Sequence, residues 1–483
     1  MSSSETAPLG RDVWLVAIVV VIGAIGTILA TTSINVTFET LAEELATDID
    51  TVQWIATGYL LGLAATISTS GWAARRLGAR RLYFMSLVVF ATASVLCSAA
   101  TSIGTLIVFR VLQGIAGGAT LPVGMMMLAS VAGPRQMGRV MSIIGVPMIL
   151  GPIAGPTIAG VLVDQLSWQW AFLMNVPLSL TALVLGVKLL PHMPARAAGR
   201  FDGVGFALTV AGAPLLVYGL ARTGASGTLG DRVGIAAILA GAVLLGAFVV
   251  HARSHTAPLL DVRLWDNRGF AACALIAFLV SAALFGSMLL LPLSFQSVRD
   301  ASATTAGLLL APQGIGSAIS IAIAGRIADR FGGGWVAVAG ISVLALGTIP
   351  LLTFDASTPD AVVVVALLFR GLGMGGAVIP AMAVAYMHMR RDQIPDATPQ
   401  LNVLQRLGGA VGSTVLTLAL VSGLPQAATP QEVATAFNHS FAWSLGITVL
   451  ALVPALALVA LDRRSRRRGR GGLREAEIEI ATA

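Results

Sequence analysis

Long apolar runs separated by short polar segments make up most of the chain. A helix crosses a bilayer core with about 20 mostly apolar residues, and fourteen runs of that kind are present. They cover residues 13–35, 51–72, 82–100, 105–129, 141–163, 170–190, 203–221, 232–252, 269–296, 303–324, 335–354, 361–385, 399–421 and 440–461. Open sheets are excluded because each unpaired backbone group in lipid costs several kcal/mol. The pattern predicts an all-α polytopic membrane protein with fourteen transmembrane helices.

The composition excludes most soluble classes. Of 483 residues, 56% are hydrophobic and only 11% are charged, whereas soluble proteins carry about 25% charged residues. A soluble enzyme, a nucleic-acid-binding protein and a disordered protein are all poor fits to such a chain. Cys97 and Cys273 each lie inside an apolar run, and the five histidines form no cluster with them at metal-ligand spacing. We therefore expect neither a disulfide framework nor a metal site.

The basic residues predict the orientation of the helices. With the N-terminus in the cytoplasm, the inside segments hold 24 basic residues, including seven arginines after residue 461, and the outside loops hold three. This bias follows the positive-inside rule, and shifting the count by one helix would destroy it. We expect a multi-pass protein of the cell (inner or plasma) membrane with both termini in the cytoplasm.

Two motifs recur along the chain. Gly71–Arg81 is echoed by Gly325–Trp335 at an offset of 254 residues, and the segment around Arg110 is echoed around Arg370 at an offset of 260. Near-constant offsets predict a duplicated six-helix bundle with two inserted helices, a construction typical of secondary transporters. The predicted divisions are an N-terminal bundle at 1–190, inserted helices at 191–260, a C-terminal bundle at 261–461 and a basic cytoplasmic tail at 462–483.

Arg110 is the strongest candidate for a functional residue. An ionised side chain in a span costs at least about 2.5–3.5 kcal/mol, so it normally faces the bundle interior and marks a transport pathway. Gln113, Gly114 and Gly117 follow it on one helical face, and the glycines let a neighbouring helix approach closely. The alternative is an arginine that only holds helices together.

The fifth apolar run carries ordered glycines and prolines. Gly145 begins the segment, Gly151 and Gly155 are four residues apart, and so are Pro152 and Pro156. Each proline removes a backbone hydrogen bond and kinks the helix, and the glycines offer a tight packing surface. The spacing favours a hinge between two bundle arrangements over a generic glycine- and proline-rich membrane helix.

A polar stripe follows the first apolar run. Thr32, Asn35 and Glu39 recur at helical spacing, and Glu43 continues the stripe outward. A carboxylate partly removed from water binds a proton more readily than one in bulk water. Glu39 is therefore a candidate for proton coupling, and the competing interpretation is a solvated glutamate at the outer interface.

At these residues the chain resembles the major facilitator superfamily, and within it the fourteen-helix drug:proton antiporters. The sequence FRVLQGIAGGATLP is similar to the family motif of the fourth helix, whose arginine corresponds to Arg110. Gly145–Pro156 is similar to the antiporter motif of the fifth helix, and Trp168–Pro177 to the segment that enters the sixth. The resemblance implies transport by alternating access with proton transfer at Arg110, driven by a proton gradient and without a cofactor.

Two departures from the family pattern concern charged positions. The usual aspartate of the first helix is Ala30, and the usual proline nine residues later is Glu39, which makes Glu39 the substitute coupling site. The usual aspartate of the loop after the second helix is Arg75, whereas the repeat keeps Asp329. The loop motif that the resemblance assigns to a cytoplasmic latch consists of Gly71, Arg76, Gly78, Gly325, Asp329 and Arg330.

These features together predict a proton-driven exporter of hydrophobic or amphipathic small molecules such as drugs. The predicted cavity is lined by Asn35, Gln113, Gln313, Arg370, Asn402 and Gln405. An exporter of lipids or of a self-made metabolite is the closest alternative, and an uptake symporter is a second. An enzyme is disfavoured because the chain has no nucleophile–base pair. We expect small molecules and the lipid bilayer as partners, no nucleic acid, and a monomer.

Overall fold

The computed structural model describes residues 10–132, 140, 155, 158–163, 165–191, 193, 195, 200–228, 230–256, 258–301, 303–387, 389, 393–424 and 429–461. All regular elements in these ranges are helices. The α-helices are α1 (Arg11–Thr32), α2 (Phe38–Glu44), α3 (Ile49–Leu77), α4 (Ala79–Ser98), α5 (Ile103–Ala132), α6 (Trp170–Leu173), α7 (Asn175–Leu189), α8 (Gly203–Ser226), α9 (Arg232–Ser254), α10 (Arg268–Arg299), α11 (Ala303–Phe331), α12 (Gly333–Thr348), α13 (Asp360–Met387), α14 (Ile394–Ser422) and α15 (Pro430–Leu450). Short 3-10 helices cover Ser33–Thr37, Val262–Asp266 and Ile349–Thr353.

Twelve of the described helical segments are long and apolar enough to cross a membrane, so the all-helical membrane fold is confirmed. The predicted number of fourteen spans is not reproduced. The run at 51–72 lies in α3, a helix of 29 residues that is not among the twelve. Its sequence carries Thr, Ser and Gly along the buried side and two arginines in its last turn, which lowers its apolar content. Most of the run at 141–163 lies outside the described residues.

Local sequence signals set where several helices begin. Asp48 accepts a hydrogen bond from the backbone N–H of Thr51 at 3.0 Å and caps α3. Thr429 and Glu432 form a capping box at the start of α15. Gly78 separates α3 from α4 with φ 85°, and Gly332 separates α11 from α12 with φ 95°. A residue with a Cβ rarely adopts such φ values, so both sharp turns require glycine.

One compact unit comprises Met1–Val262 with Met389–Val403. In it α3 and α5 cross closely, because an added Cβ at Gly62 would lie 2.4 Å from the carbonyl oxygen of Val111. Its apolar core includes a cluster of Ile34, Leu41, Val52, Ile55, Cys97, Leu106, Trp168 and Phe172, and a second of Ala30, Tyr59, Leu63, Ile67, Phe90 and Ala116.

The inserted pair α8 and α9 belongs to the same unit. An added Cβ at Gly219 would lie 2.6 Å from the backbone N of Ile238, and one at Gly241 would lie 2.5 Å from that of Leu216. The two helices therefore pack backbone to backbone along much of their length. The edge of Trp72 in α3 meets Phe201, just before α8, at a centroid distance of 4.8 Å.

The other unit comprises Arg263–His388 with Leu404–Ala483. Here α13 packs against α11 and α12, and α10 packs against α15. Its core contains Leu290, Phe295, Phe354, Leu367, Leu416, Phe437 and Phe441. The predicted division of the chain at residues 190, 260 and 461 stays a prediction.

Candidate functional site

Arg110 lies about two turns into α5, and only 1% of the residue is exposed. Its Nε donates to the carbonyl oxygen of Ile55 in α3 at 3.1 Å, and Nη2 donates to that of Ala30 in α1 at 3.2 Å. Its Nη1 donates to Oε1 of Gln113, one turn along α5, at 2.5 Å. The guanidinium therefore joins three helices through acceptors that carry no formal charge.

Two aromatic rings and a serine extend this network. The Arg110 guanidinium lies 4.3 Å from the ring centroid of Tyr59 and 5.8 Å from that of Phe172, where the negative face of a ring attracts a cation. Nε2 of Gln113 donates to Oγ of Ser94 in α4 at 2.7 Å. No described carboxylate pairs with Arg110. Neutral dipoles and ring faces thus stabilise this buried charge.

The residues that share a face with Arg110 are buried as their spacing predicts. Gln113, Gly114 and Gly117 are all buried in α5. An added Cβ at Gly114 would lie 2.1 Å from the carbonyl oxygen of Tyr59, and one at Gly118 would lie 2.4 Å from that of Leu63. These glycines let the α3 backbone come close to α5, which brings the Ile55 carbonyl within reach of Arg110. The sequence did not identify Tyr59, Phe172 and Ser94, whose residue types are common in apolar spans.

Ala30 marks the point where the family pattern has aspartate, and here it offers Arg110 only its backbone carbonyl. The residue is 2% exposed and packs in the cluster that contains Tyr59 and Phe90. The guanidinium thus meets α1 at this position without a carboxylate.

Asn35 and Glu39 do not belong to the first membrane-spanning helix. The helix α1 ends at Thr32, a 3-10 helix covers Ser33–Thr37, and Glu39 follows in the short helix α2. A 3-10 helix has 3.0 residues per turn, so the α-helical spacing that predicted a continuous polar stripe is interrupted there. The side chains of Asn35 and Glu39 lie outside the described part of the structure.

The helix-five motif is described at one position. Gly145, Gly151, Pro152 and Pro156 lie outside the described residues. Gly155 is buried and helical, and an added Cβ there would lie 2.1 Å from Oγ1 of Thr32 in α1. The glycine at this position therefore allows close contact with the end of α1, and the predicted hinge stays a prediction.

The predicted loop motif lies mostly within helices. Gly71 is buried in α3, Arg76 is exposed near its end, and Gly78 forms the turn into α4. Gly325, Asp329 and Arg330 lie in α11, and their side chains are outside the described part of the structure.

Arg75, the departure in this motif, forms an ion pair that the sequence did not reveal. Its Nη1 lies 2.5 Å from Oδ1 of Asp396 in α14, and both residues belong to the first unit. The two residues are 321 positions apart, so no local pattern connects them. Arg75 thus places a cation at the position where the family pattern has aspartate, and Asp396 supplies the opposite charge.

Three of the polar residues predicted to line a cavity make unrelated contacts: Asn402 and Gln405 each have a partner, and the side-chain oxygen of Gln313 has none. Nδ2 of Asn402 donates to the Thr398 carbonyl oxygen in its own helix at 2.9 Å. Nε2 of Gln405 lies 3.6 Å from Sδ of Met382. Gln313 lies in α11, and its Oε1 is buried without a hydrogen-bond partner.

Arg370, in α13, is the second fully buried arginine among the described residues, with 1% exposed. Its Nη1 donates to the hydroxyl of Thr348 at the end of α12. Its Nε is buried and has no hydrogen-bond partner. The guanidinium of Arg370 therefore has fewer hydrogen-bond acceptors than that of Arg110.

The helix contacts correct the predicted equivalence of Arg110 and Arg370. Gly62 meets the Val111 carbonyl oxygen, and 254 residues later Gly316 meets that of Leu368. Gly114 meets the Tyr59 carbonyl oxygen in the same way as Gly371 meets that of Gln313. The offset is therefore 254 between α3 and α11 but 257 between α5 and α13. The offset of 260 that the shared Phe-Arg dipeptide suggested is wrong by about one helical turn.

With this register, Arg370 takes the place of Gln113. The Gln113–Ser94 hydrogen bond in the first unit corresponds to the Arg370–Thr348 hydrogen bond in the second. The position of Arg110 corresponds to Leu367, which is fully buried in the apolar core of the second unit. Each half thus carries one buried arginine, but the two arginines occupy different positions of the repeat.

The described residues contain no group of three His, Cys, Asp or Glu side chains that could hold a metal ion. What the Arg110 site can do is hold α1, α3 and α5 together through hydrogen bonds that must break if one of these helices moves. A buried cation that bridges several helices in this way is suited to a conformational step more than to covalent chemistry.

Comparisons with known proteins agree with this architecture. The family model described as Major Facilitator Superfamily matches residues 20–413 and 273–479. The multidrug resistance protein B homolog of Mycobacterium tuberculosis is 36% identical over 392 residues, which cover 80% of this chain and 73% of that protein. The lincomycin resistance protein LmrB of Bacillus subtilis is 26% identical over 441 residues, or 88% and 91% of the two chains.

Solved structures show the same fold at low identity. The proton:xylose symporter XylE bound to a sugar analogue aligns with a TM-score of 0.62 at 15% identity, covering 92% of this chain and 95% of that one. From the family match over most of its length and the 36% identical relative, this chain is a multi-pass membrane protein that belongs to the Major Facilitator Superfamily.

Proposed function

We propose that this protein exports hydrophobic or amphipathic small molecules, such as drugs, in exchange for protons by alternating access. The observation that carries the proposal is the Arg110 network, which lies on the fourth-helix motif of the drug:proton antiporters. Relatives named for multidrug and lincomycin resistance support drugs as the substrate class.

The Arg110 network suits alternating access because it is made of breakable contacts. Three hydrogen bonds join the guanidinium to Ile55, Ala30 and Gln113. Each hydrogen bond to a charged group contributes about 1.5–3 kcal/mol. Movement of α1 or α3 relative to α5 would exchange such contacts for others, which is how packed helices switch between two arrangements. Glu39, at the start of α2, is the carboxylate that we assign to proton coupling.

Export also requires a defined orientation. The positive-inside bias supports both termini in the cytoplasm of a cell with an inner or plasma membrane. We assign the segment 462–483 to a basic cytoplasmic tail. We propose a monomer that binds its small-molecule cargo within the bilayer, without nucleic acid, cofactor or catalytic activity, and with a proton gradient as its energy source.

Two other transport functions remain as alternatives on the same fold. An exporter of a lipid or of a self-made metabolite would use the same helices, and an uptake symporter would move cargo in the opposite direction. The resistance names of the relatives favour drug export over the first. The proline and glycine spacing of the fifth apolar run favours export over the second.

Dye accumulation in intact cells tests this proposal. Cells that express the protein should accumulate less rhodamine 123 and ethidium than cells without the gene, and a protonophore should abolish the difference. Cells that express the Arg232→Ala variant should behave like wild type, because Arg232 is exposed at the start of α9 and belongs to none of the proposed site motifs. Greater accumulation in expressing cells would identify an uptake system, and equal accumulation across a panel of dyes and antibiotics would exclude drug export.

A further inference from the structure

Arg370 presents a buried positive charge that the rest of the described structure leaves largely uncompensated. Arginine carries five N–H donors and no acceptor. Arg110 uses three of its nitrogens in hydrogen bonds and adds the face of Tyr59. Arg370 has the hydroxyl of Thr348 as its hydrogen-bond acceptor, and its Nε has none. A buried polar group without a partner costs about 1–3 kcal/mol, and more when the group is charged.

The repeat shows that packing does not require a charge at this position. Gln113 occupies the equivalent place in the other unit and makes the equivalent hydrogen bond to Ser94. The neutral amide of Gln113 therefore makes the hydrogen bond that joins the equivalent pair of helices. The arginine at position 370 thus adds a cation beyond what holds α12 and α13 together.

Among the described residues, Arg370 also lacks the ring-face contacts that stabilise the charge of Arg110. Tyr59, whose ring faces Arg110, corresponds to Gln313 in α11, and Oε1 of Gln313 is buried without a partner. Nε of Arg370 on α13 is a donor without an acceptor, and Oε1 of Gln313 on the neighbouring helix α11 is an acceptor without a donor. A bound molecule with polar groups would supply the missing hydrogen-bond partners. Among the described residues, the buried charges inside the spans are the two arginines.

We propose that Arg370 is an anion-recognition residue, which binds a carboxylate or another oxyanion of the transported molecule. This inference rests on the proposed export function and adds to its substrates amphipathic molecules with a negatively charged group. A guanidinium suits this role because its planar fork can donate two parallel hydrogen bonds to an oxyanion. The positive interior would disfavour lipophilic cations at the same place.

Two xanthene dyes of opposite charge test the proposal. Fluorescein is an anion at pH 7.5 and rhodamine 123 is a cation, while their ring systems are alike. Fluorescence polarisation would measure the binding of each dye to the full-length protein in detergent. Wild type should bind fluorescein, and Arg370→Gln should bind it at least tenfold more weakly with rhodamine 123 binding unchanged. Arg370→Lys keeps the charge but loses the planar fork, so its affinity for fluorescein should lie between those of wild type and Arg370→Gln.

Arg370→Gln is a conservative variant in structural terms, because it reproduces the Gln113–Ser94 pair of the other unit. Thr348→Val is the matched control, since it removes the hydrogen-bond partner and leaves the guanidinium. Thr348→Val should still bind fluorescein, and if Arg370→Gln does not fold, Arg370→Lys decides the matter by weakening fluorescein binding without weakening rhodamine 123 binding. Loss of fluorescein binding in Thr348→Val would overturn the proposal.

The remaining outcomes separate this inference from the export function. Equal weakening of both dyes in Arg370→Gln would identify Arg370 as a structural clamp and overturn anion recognition. Unchanged fluorescein binding in that variant would do the same. Wild type that binds and exports rhodamine 123 but not fluorescein would refute the anion preference and leave drug export intact. Wild type that neither binds nor exports any dye would refute the export function itself.

Discussion

Arg110 in α5 donates from Nη2 to the backbone carbonyl oxygen of Ala30 in α1 at 3.2 Å. In the family pattern, the residue at position 30 is aspartate, so here a carbonyl dipole takes the place of a carboxylate. Substituting aspartate at this position should therefore add the attraction of an opposite charge to the hydrogen bond that the guanidinium already makes here.

Ala30→Asp is expected to unfold at the same temperature as wild type or higher in a thermal unfolding assay in detergent. Leu29→Asp is the control, because Leu29 is also buried in α1 and has no described cation beside it. An unpaired buried carboxylate should lower stability by about 3 kcal/mol or more. Equal destabilisation by the two substitutions would show that position 30 does not face Arg110.

Gly114→Ala should loosen the crossing of α3 and α5. The added Cβ would lie 2.1 Å from the Tyr59 carbonyl oxygen, and backbone atoms cannot move aside as a flexible side chain can. We expect a loss of about 1–3 kcal/mol in the free energy of unfolding. Gly104→Ala is the control in the same helix, because no heavy atom lies within 4 Å of its added Cβ. Similar unfolding temperatures for the two variants would contradict this packing.

The ion pair between Arg75 and Asp396 should depend on opposite charges and not on which residue carries them. Arg75→Asp and Asp396→Arg are each expected to lower stability, and the double substitution should restore most of the loss. The side chains are 21% and 17% exposed, so we expect a coupling energy of about 1 kcal/mol from a double-mutant cycle. Arg76→Asp, next to Arg75 but exposed, should show no coupling to Asp396→Arg. Coupling of the same size there would point to long-range charge effects.

Asp202 should make stability depend on pH at the start of α8. Burial alone would raise the pKa of this carboxyl, but hydrogen bonds from the Gly205 N–H, the His251 ring and the Leu259 N–H lower it below the ordinary value of 3.8. A depressed pKa in the folded state adds stability that is complete above the unfolded pKa. That stability is lost as the pH falls through the folded pKa.

Asp202→Asn is therefore expected to reduce the free energy of unfolding by about 1–3 kcal/mol at pH 7. The difference from wild type should shrink as the pH falls below about 4. Thermal unfolding between pH 3 and pH 8 would measure it. Asn267→Ser, which replaces one good capping residue at the start of α10 by another and has no titratable side chain, should cause a small change that is the same at every pH. A constant difference for Asp202→Asn would contradict the hydrogen-bonded carboxylate.

The fold could largely be predicted from the sequence because each span is a continuous apolar run of fixed length. The face of α5 that carries Arg110 and Gly114 could also be predicted, since helical spacing alone determines it. The polar stripe toward Glu39 could not, because a 3-10 helix at Ser33–Thr37 breaks the spacing. Propensity and pattern do not distinguish such a turn from a continuing helix.

The second arginine shows where sequence comparison between the halves is insufficient. The shared Phe-Arg dipeptide aligns Arg110 with Arg370, but the glycine contacts change the offset from 254 at α11 to 257 at α13, so the second half has three extra residues before α13. This insertion places Arg370 at the position of Gln113. Only the backbone contacts of the glycines on both helices define that register. The Arg75–Asp396 pair is a similar case, because its members are far apart in the chain.

Proton-driven efflux from proteoliposomes tests the export function and the role of Arg110 most directly. Vesicles loaded with rhodamine 123 would be placed in acidic buffer, with the membrane potential clamped by potassium and valinomycin. Wild type and the exposed-site variant Arg232→Ala should release the dye much faster when the proton gradient is present than when it is absent. Arg110→Ala should remain in the membrane, monodisperse in detergent, and release none. Release by wild type at the same rate with and without the proton gradient, or release by Arg110→Ala at the wild-type rate, would contradict a proton-coupled exporter that works through the buried guanidinium of α5.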